Sequence, residues 1–316
     1  MTRAGQPGKG GGSAAELQEC HPAATGSQEC HLAATGAPDP DDLRRVVTTA
    51  LAEDLRYGPD ATTAATVPAD AVAVAALTAR APGVLAGLPA VRAVLDAVLG
   101  ADGYAVLATR IDGDLLAAGD VALALRAPVR GLLTAERTAL NLVCHLSGVA
   151  TATRVWVDAV AGTGARIRDT RKTLPGLRLL EKYAVRCGGG VNHRLGLGDA
   201  VLIKDNHVAA AGSVGAALTA ARLHAPDLPC EVEVDTLDQL DEVLALGAEL
   251  VLLDNFTVAD TAEAVRRRGS APTGLESSGG LRLENARAYA EAGVDYLAVG
   301  ALTHSVMALD LGLDLR

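Results

Sequence analysis

The sequence predicts an α/β protein: a parallel α/β barrel of seven strands, incomplete around its circumference, and a small N-terminal α+β sandwich domain. Three observations predict this fold. From residue 166 onward, short apolar runs end in polar or charged residues, and most are followed by helical stretches. Between Lys204 and Gly300 these polar ends recur every 21 to 29 residues, which is the period of a strand–helix unit. Before residue 166, strands and helices are unevenly spaced, as in an α+β sandwich.

The N-terminal half, residues 1–148, divides into a tail and a small domain. We expect residues 1–38 to be disordered, because Gly, Ala, Ser, Thr and Pro dominate them. The stretch Gln18–Gly26 also returns almost unchanged at Gln28–Gly36. Residues 39–148 form the small domain and a linking helix; the apolar pattern there fits one long helix or two, with a break at Ser147–Gly148. The predicted elements are helices over Asp41–Leu55, Pro89–Leu99 and Leu132–Val160, and strands over Ala71–Ala79, Val84–Leu85, Tyr104–Arg110 and Val121–Arg126.

Residues 149–300 form the predicted barrel. The candidate strand ends are Asp169–Lys172, Asn192–Arg194, Ile203–Asn206, Glu231–Asp235, Leu253–Asn255, Glu276–Ser278 and Val299–Gly300. The candidate helices are Leu177–Val185, Val214–Leu223, Leu237–Leu246, Val258–Arg267 and Leu283–Glu291. A doubly wound sheet is the competing layout, but no GxGxxG follows its first strand. In a barrel, the functional groups collect at the carboxyl ends of the strands.

Composition excludes several classes of function. The 316 residues carry a formal charge of −10, which argues against a general binder of nucleic acids or membrane surfaces. Aromatic residues make up only 2%, too few for a base-stacking platform. No apolar run reaches the length of a transmembrane span, and the first 38 residues lack the apolar core of a secretory signal. The five cysteines are an odd number without CxxC spacing, so we expect a cytoplasmic protein with reduced thiols.

Positive charge is concentrated at three neighbouring strand ends. The window from Arg166 to His207 holds nine Lys or Arg and four Asp or Glu, a local excess of five positive charges. We expect an anionic ligand there, because Arg clamps carboxylates in a bidentate way and Lys supplies a compact charge. The alternative for most of these cations is an ordinary surface salt bridge. Lys204 follows a buried run and therefore needs a partner or an open cleft. The converging cations are Arg171, Lys172, His193, Arg194 and Lys204.

Carboxylates form the second candidate group. Glu233 and Asp254 lie in apolar strands, where an unpaired carboxylate is costly to bury. Glu231, Glu233 and Asp235 alternate and are predicted to point to one face, toward the lumen or mouth of the barrel. Such groups can bind a divalent cation or sugar hydroxyls, or stabilise a cationic transition state. Internal ion pairing with the nearby cations is the alternative.

Two late loops favour a phosphate site. Ser277–Gly280 and Gly300–Ser305 follow the last two strands, where backbone N–H groups and hydroxyls often bind phosphate in barrels. Each loop can also be a simple turn. The triplet Gly188–Gly190 has two interpretations, a helix C-cap and a ligand contact, and the C-cap is at least as well supported.

Several reactive-looking residues are set aside. Cys144 and Cys187 are interpreted as core residues, and His145 and His224 have no partner at ligand spacing. No GxSxG or HExxH occurs. Without a nucleophile or redox group, the site suits transfer at a sugar-phosphate carbon, where electrostatics and positioning supply most of the catalysis.

The stretch DTRKTLPGLRLLEKYAVRCGGGVNHRLGLGDAVLIKDNH, at Asp169–His207, resembles the signature of the quinolinate phosphoribosyltransferase family. The segments ERTALNLVCHLSG, EVEVDTLDQL, VLLDNF, LESSGGL and VDYLAVGALTHS agree with it, and the resemblance spans about Asp39 to Arg316. It implies conversion of quinolinate and phosphoribosyl pyrophosphate, with Mg²⁺, to nicotinate mononucleotide, pyrophosphate and carbon dioxide. It also implies that the barrel is an incomplete one of seven strands and that residues 301–316 return to the small domain.

The resemblance also implies the roles of individual residues. Lys204, Glu233 and Asp254 are the implied catalytic groups, and Glu233 and Asp254 are the implied Mg²⁺ ligands, direct or through water. A homodimer is implied, in which Arg137 reaches the active site of the partner subunit. The implied quinolinate site comprises Arg137, Thr170, Arg171, Lys172, His193, Arg194 and Lys204. The implied phosphoribosyl pyrophosphate site comprises Lys172, Glu233, Asp254, Ser277, Ser278, Gly279, Gly280, Gly300, His304 and Ser305.

Two other functions remain open on the sequence. A related enzyme that uses nicotinate would need fewer cations for its single carboxylate. A catalytically silent barrel that senses phosphoribosyl compounds would bind them without chemistry, and the intact Lys204, Glu233 and Asp254 argue against it.

Overall fold

A computed structural model of the chain describes residues 36–316. Nearly all of the predicted disordered tail, including the duplicated segment up to residue 35, lies outside the described residues. The elements of the first half are α1 (Pro40–Asp54), α2 (Ala61–Thr66), β1 (Val72–Ala79), β2 (Gly83–Val84), α3 (Leu88–Leu99), β3 (Ala105–Thr109), β4 (Leu115–Leu116), β5 (Val121–Pro128) and α4 (Val129–Ala159).

The second half contains the strand–helix units and the chain end. Its elements are β6 (Arg166–Arg168), α5 (Arg178–Cys187), β7 (Val201–Ile203), α6 (Asp205–Ala211), α7 (Val214–His224), β8 (Cys230–Val234), α8 (Leu237–Ala245), β9 (Leu250–Asp254), α9 (Val258–Arg268), β10 (Gly274–Ser278), α10 (Leu283–Glu291), β11 (Tyr296–Ala298), a 3₁₀ turn (Gly300–Leu302) and β12 (Leu311–Leu315). Four short elements, α2, β4, α6 and β12, and the 3₁₀ turn were not predicted from the sequence.

The small domain is built on a four-stranded antiparallel sheet in the order β12–β1–β5–β3. Alternate residues of β5 pack inward, because successive side chains of a strand point to opposite faces. The last strand, β12, pairs with β1 and sets Leu313 opposite Leu77. The end of the chain therefore completes the first domain.

Helix α4 links the two domains without the break considered at Ser147–Gly148. It runs unbroken for 31 residues. The Ser147 hydroxyl donates to the carbonyl oxygen of Ala86 and accepts from its N–H, both at 3.0 Å. A Cβ at position 148 would lie 2.3 Å from the carbonyl oxygen of Met307, so glycine allows the C-terminal segment to pack against the helix. The Ser–Gly pair marks close packing and not a helix end.

Six strands of the second half form one parallel sheet in the order β6–β11–β10–β9–β8–β7. The first strand pairs with the last, as in a barrel, whereas a doubly wound sheet starts in its middle. The α/β class and the separate small domain are therefore confirmed. The predicted second strand, ending at Asn192–Arg194, is reduced to a single parallel bridge between Val191 and Arg168. Among the described residues, no strand ladder connects this segment to β7, and the barrel is open there.

The barrel core is filled by the apolar residues of its strands. Val232, Val251 and Leu275, one from each of the three central strands, have no exposed surface. The polar groups that follow these strands lie together at the carboxyl edge of the sheet. In the described part of the chain, no helix is long and apolar enough to cross a bilayer.

Candidate active site

A cavity of about 430 Å³ opens at the carboxyl ends of the barrel strands. Its apolar lining comes from Leu202, Leu252 and Ala298, in three different strands. Ten of the predicted site residues line this one cavity: Thr170, Arg171, Lys172, His193, Arg194, Lys204, Glu233, Asp254, Ser278 and Gly279.

Six predicted site residues do not line the cavity. Arg137 is exposed on α4. Ser277 is buried, and its hydroxyl has no hydrogen-bond partner among the described residues. Gly300 lies just behind the cavity wall, since a Cβ there would be 2.9 Å from Cδ of Lys172. The others are Gly280, which follows Gly279 in the same loop, and the exposed pair His304 and Ser305, whose ring and hydroxyl are 2.6 Å apart.

Two guanidinium groups in the cavity have unused donors. The Nε atoms of Arg171 and Arg194 are buried, and neither has a hydrogen-bond partner among the described residues. Burial lowers the pKa of Arg194, and the neighbouring charge of Arg171 lowers it further. Two like charges with free donors on one cavity wall favour a ligand that carries more than one negative charge.

Lys204, just after β7, and Glu233, in the adjacent strand β8, form an ion pair in the cavity. The Lys204 side chain is half exposed, whereas Glu233 is buried. Internal pairing, one of the alternatives left open for the carboxylates, is therefore observed for Glu233. Asp254 accepts a hydrogen bond from the Asn255 amide at 2.7 Å, and its pKa is raised by burial and by the charge of Glu233.

Beneath the cavity lies a buried polar layer, in which His193 and Glu231 were predicted from the sequence and Arg168 and Glu276 were not. The Nε2 of His193 is 2.9 Å from Oε2 of Glu231, and Nη1 of Arg168 is 2.6 Å from Oε2 of Glu276. Burial, the largest cause, raises the pKa of each carboxyl group to about 7 and lowers that of His193 to about 4. The signal in the sequence was the placement of Glu231 and Glu276 inside apolar strands.

The loop after β9 approaches the loop after β10 closely. Asn255 adopts a left-handed conformation with φ of 55°, and its N–H donates to the carbonyl oxygen of Ser278 at 2.9 Å. A Cβ at position 279 would lie 2.2 Å from Oδ1 of Asn255, and φ of Gly279 is +83°. Only glycine fits this position.

Three sequence interpretations change in the structure. Asp235 is exposed and lines a neighbouring cleft, so it does not share the cavity with Glu233. His145 has a partner after all, because its Nε2 is 2.8 Å from Oε1 of the buried Glu181 on α5. Lys182 belonged to the cationic window but is fully buried and paired with Asp169. It therefore cannot meet a ligand directly.

Other interpretations agree with the structure. Cys187 is buried in the core, and the glycine triplet ends α5, with the N–H of Gly190 donating to the carbonyl oxygen of Val185. A Cβ at position 188 would lie 2.4 Å from the carbonyl oxygen of Ala150, which explains the glycine there.

Two groups of residues offer ligand atoms for a cation. His193, Glu231 and Glu276 offer ligand atoms within 4.8 Å of one another. They are buried, however, and the guanidinium of Arg168 already contacts both carboxylates. Glu233 and Asp254 fit Mg²⁺ better, because they line the open cavity, where an ion can keep its waters and bind substrate oxygens.

Family comparisons agree with this arrangement. The family model "Quinolinate phosphoribosyl transferase, N-terminal domain" matches residues 60–147, and the corresponding C-terminal domain matches residues 149–314. The nicotinate-nucleotide pyrophosphorylase [carboxylating] of Mycobacterium leprae (strain TN) is 65% identical over 277 residues, 87% of this chain and 98% of the relative. The chain belongs to the quinolinate phosphoribosyltransferase family.

Solved structures of the family have the same fold. The nicotinate-nucleotide pyrophosphorylase from Francisella tularensis superposes with a TM-score of 0.84 at 37% identity, covering 89% of this chain and 99% of that one. NadC from Streptococcus pyogenes gives a TM-score of 0.83 at 38% identity, with the same coverage. These similarities extend over both domains of the quinolinate phosphoribosyltransferase fold.

Proposed function

We propose that this chain transfers the phosphoribosyl group of phosphoribosyl pyrophosphate to the ring nitrogen of quinolinate, with decarboxylation. The products are nicotinate mononucleotide, pyrophosphate and carbon dioxide, and the reaction belongs to NAD biosynthesis. The observation that carries this proposal is the convergence of Arg171, Arg194 and Lys204 on the cavity that also holds Glu233 and Asp254. Family membership supports it independently.

Quinolinate binds to the cationic wall of the cavity. Its two carboxylates match the free guanidinium donors of Arg171 and Arg194, which no carboxylate of the described residues occupies. Lys172, which is exposed, and Thr170 extend this wall toward the phosphate-rich substrate. His193 is neutral and adds a positioned polar ring without adding charge.

Phosphoribosyl pyrophosphate binds on the opposite wall. The glycine and hydroxyl groups of the two late loops hold its 5′-phosphate, through backbone N–H groups in a nest-like turn. Glu233 and Asp254 would hold Mg²⁺, which would supply neutralisation of charge on the diphosphate. The two carboxylates also stabilise the positive charge that develops on the ribosyl carbon as pyrophosphate leaves.

Lys204 lies between the carboxylates of the phosphoribosyl site and the arginines of the quinolinate site. Its ammonium group pairs with Glu233 and shares the cavity with the arginines. After ribosylation, the positive charge on the ring nitrogen stabilises the electron pair that the departing carbon dioxide leaves on the adjacent ring carbon. A proton then takes the place of the lost carboxylate, and no decarboxylation cofactor is required.

We further propose that the active enzyme is a homodimer in the cytoplasm. Arg137 is exposed on α4 and does not line the cavity of its own chain, so a partner subunit can use it. The described cysteines, Cys144, Cys187 and Cys230, are all free, which supports a reducing compartment.

A substrate comparison tests the function. Purified protein is incubated with Mg²⁺, phosphoribosyl pyrophosphate and either quinolinate or nicotinate, and nicotinate mononucleotide is followed. We expect kcat/KM for quinolinate to exceed that for nicotinate by about a hundredfold or more, because one buried guanidinium would lose its carboxylate. Preferential use of nicotinate, or binding of quinolinate without release of carbon dioxide, would refute the proposal.

A further inference from the structure

The segment that carries His193 and Arg194 has little strand pairing to hold it. The N–H of Val191 donates to the carbonyl oxygen of Ile167 at 2.9 Å, and the N–H of Asp169 donates to that of Val191 at 3.1 Å. Regular strand pairing of this segment ends at Val191. Both His193 and Arg194 nevertheless reach into the cavity, where small errors of position are costly.

Where the strand pairing ends, the backbone is held by a buried ion pair between Asp169 and Lys182. Neither Asp169 nor Lys182 has any exposed surface. The N–H of His193 donates to Oδ1 of Asp169 at 2.8 Å, and Nζ of Lys182 donates to the carbonyl oxygen of His193 at 2.9 Å. The amide of Asn192 also donates to Oδ2 of Asp169 at 2.6 Å. Both main-chain groups of His193 are thus bound by the two members of one ion pair.

This ion pair contributes little to the stability of the fold. Burial raises the pKa of Asp169 and lowers that of Lys182, so the interior opposes both charges. Apolar residues of similar volume in such a position are often as stabilising as the pair, or more so. What apolar residues cannot supply is a donor and an acceptor aimed at the backbone of one residue. The hydrogen bonds from the ion pair to the backbone of His193 therefore explain its presence better than a contribution to stability does.

We propose that Asp169 and Lys182 are positioning residues that fix His193 and Arg194 for binding of the dicarboxylate. The inference rests on the proposed function, and it names the part of the site that recognises quinolinate. Because neither residue lines the cavity, their loss should weaken quinolinate binding much more than binding of phosphoribosyl pyrophosphate.

The test uses the double variant Asp169→Asn/Lys182→Met in the full chain. It removes both charges together, so no unpaired charge stays buried, and the asparagine can still accept from the His193 N–H. Calorimetric titration with quinolinate, and separately with phosphoribosyl pyrophosphate and MgCl₂, measures each affinity. We expect the Kd for quinolinate to rise about tenfold or more and the Kd for the diphosphate to rise less than about threefold.

A matched control removes another charge pair of the same barrel. Arg268→Met/Asp295→Asn abolishes an ion pair of 2.6 Å that precedes β11, at the end of the barrel opposite the cavity. We expect this control to change either Kd less than about twofold, because the pair lies at the other end of the barrel and, among the described residues, contacts none that line the cavity. If the Asp169/Lys182 variant does not fold, Asn192→Ala loosens the same segment and should raise the quinolinate Kd about threefold.

The outcomes separate the two proposals. If the wild type neither binds nor converts quinolinate, the proposed function fails. If the wild type binds it and the folded double variant binds it equally well, the positioning role is wrong. An equal loss of affinity for both substrates would also overturn it, since that result indicates a general structural role.

Discussion

The imidazole of His193 lies between Glu231 and the backbone of Arg194. Its Nδ1 accepts the N–H of Arg194 at 2.7 Å, so its Nε2 carries the proton that is donated to Glu231 at 2.9 Å. Together with burial, which lowers its pKa to about 4, this arrangement keeps the ring neutral at physiological pH. The site therefore combines a neutral histidine with cationic arginines and a cationic lysine.

The buried layer beneath the cavity should make stability depend on pH. Burial, and then the charge of Glu231, raises the pKa of Glu276 from 4.5 to about 7. The folded state thus holds this proton more tightly than the unfolded state does. The stabilisation is complete below about pH 4.5 and is lost as the pH rises to about 7. The Glu276→Gln variant lacks this term but can still accept a hydrogen bond from Arg168.

Urea unfolding of both proteins from pH 5 to pH 8 checks this prediction. We expect the wild type to lose about 2 kcal/mol more unfolding free energy than Glu276→Gln over this range. Since the pKa of His193 is about 4 in the folded state, and loss of the Glu276 charge lowers it further, this ring is neutral in both folded proteins above pH 5, so its opposite pH dependence cancels in the comparison. Parallel pH profiles would show that Glu276 is ionised throughout.

Replacement of Lys204 should affect activity more than stability. We expect Lys204→Met to lower kcat/KM for quinolinate about a hundredfold, which corresponds to about 2.7 kcal/mol. The free energy of unfolding should fall by no more than about 2 kcal/mol, the cost of leaving Glu233 without its partner. Arg266→Met, which removes an exposed pair with Glu263, serves as the control and should change neither quantity measurably. Equal activity of the two variants would exclude Lys204 from the reaction.

Adjacent glycines test the loop contact with Asn255. Both Gly279 and Gly280 have positive φ, but only at position 279 would a Cβ collide with Asn255, at 2.2 Å. Gly279→Ala should therefore raise KM for phosphoribosyl pyrophosphate about tenfold, and Gly280→Ala less than about threefold. Steady-state kinetics at saturating quinolinate measures both. Similar effects of the two substitutions would mean that backbone strain alone matters.

A mixing experiment tests the shared site. Arg137→Ala and Lys204→Ala should each be folded, dimeric and nearly inactive. Random mixed dimers should recover about a quarter of the wild-type activity, because half are heterodimers and each of these has one intact site of two. The heterodimer fraction is verified by differential tagging. The absence of recovery in verified heterodimers would place Arg137 and Lys204 in the same subunit's site.

The sequence predicted the barrel because its signals are local. Apolar runs that end in polar residues identified the strands, and the carboxyl ends of parallel strands meet at one edge. That rule alone predicted that Arg171, His193, Lys204, Glu233 and Asp254 would share a cavity. The resemblance to the family added the substrates.

The buried layer could not be predicted in the same way. Arg168 and Glu276 are 108 residues apart, and their contact exists only because the first and last strands of the sheet pair with each other. The segment at Asn192–Arg194 fits the same local pattern of polar residues at the end of a strand, so the sequence predicts a strand there. Its backbone is held instead by Asp169 and Lys182, whose roles depend on the folded arrangement.

Release of the carboxylate next to the ring nitrogen tests the central claim most directly. Quinolinate labelled with ¹⁴C in its 2-carboxylate is incubated with the purified protein, Mg²⁺ and phosphoribosyl pyrophosphate. We expect labelled carbon dioxide to appear together with nicotinate mononucleotide in equal amounts, and neither to form when the diphosphate is omitted. Retention of the label in a ribosylated product, or no product from the folded protein, would contradict the account.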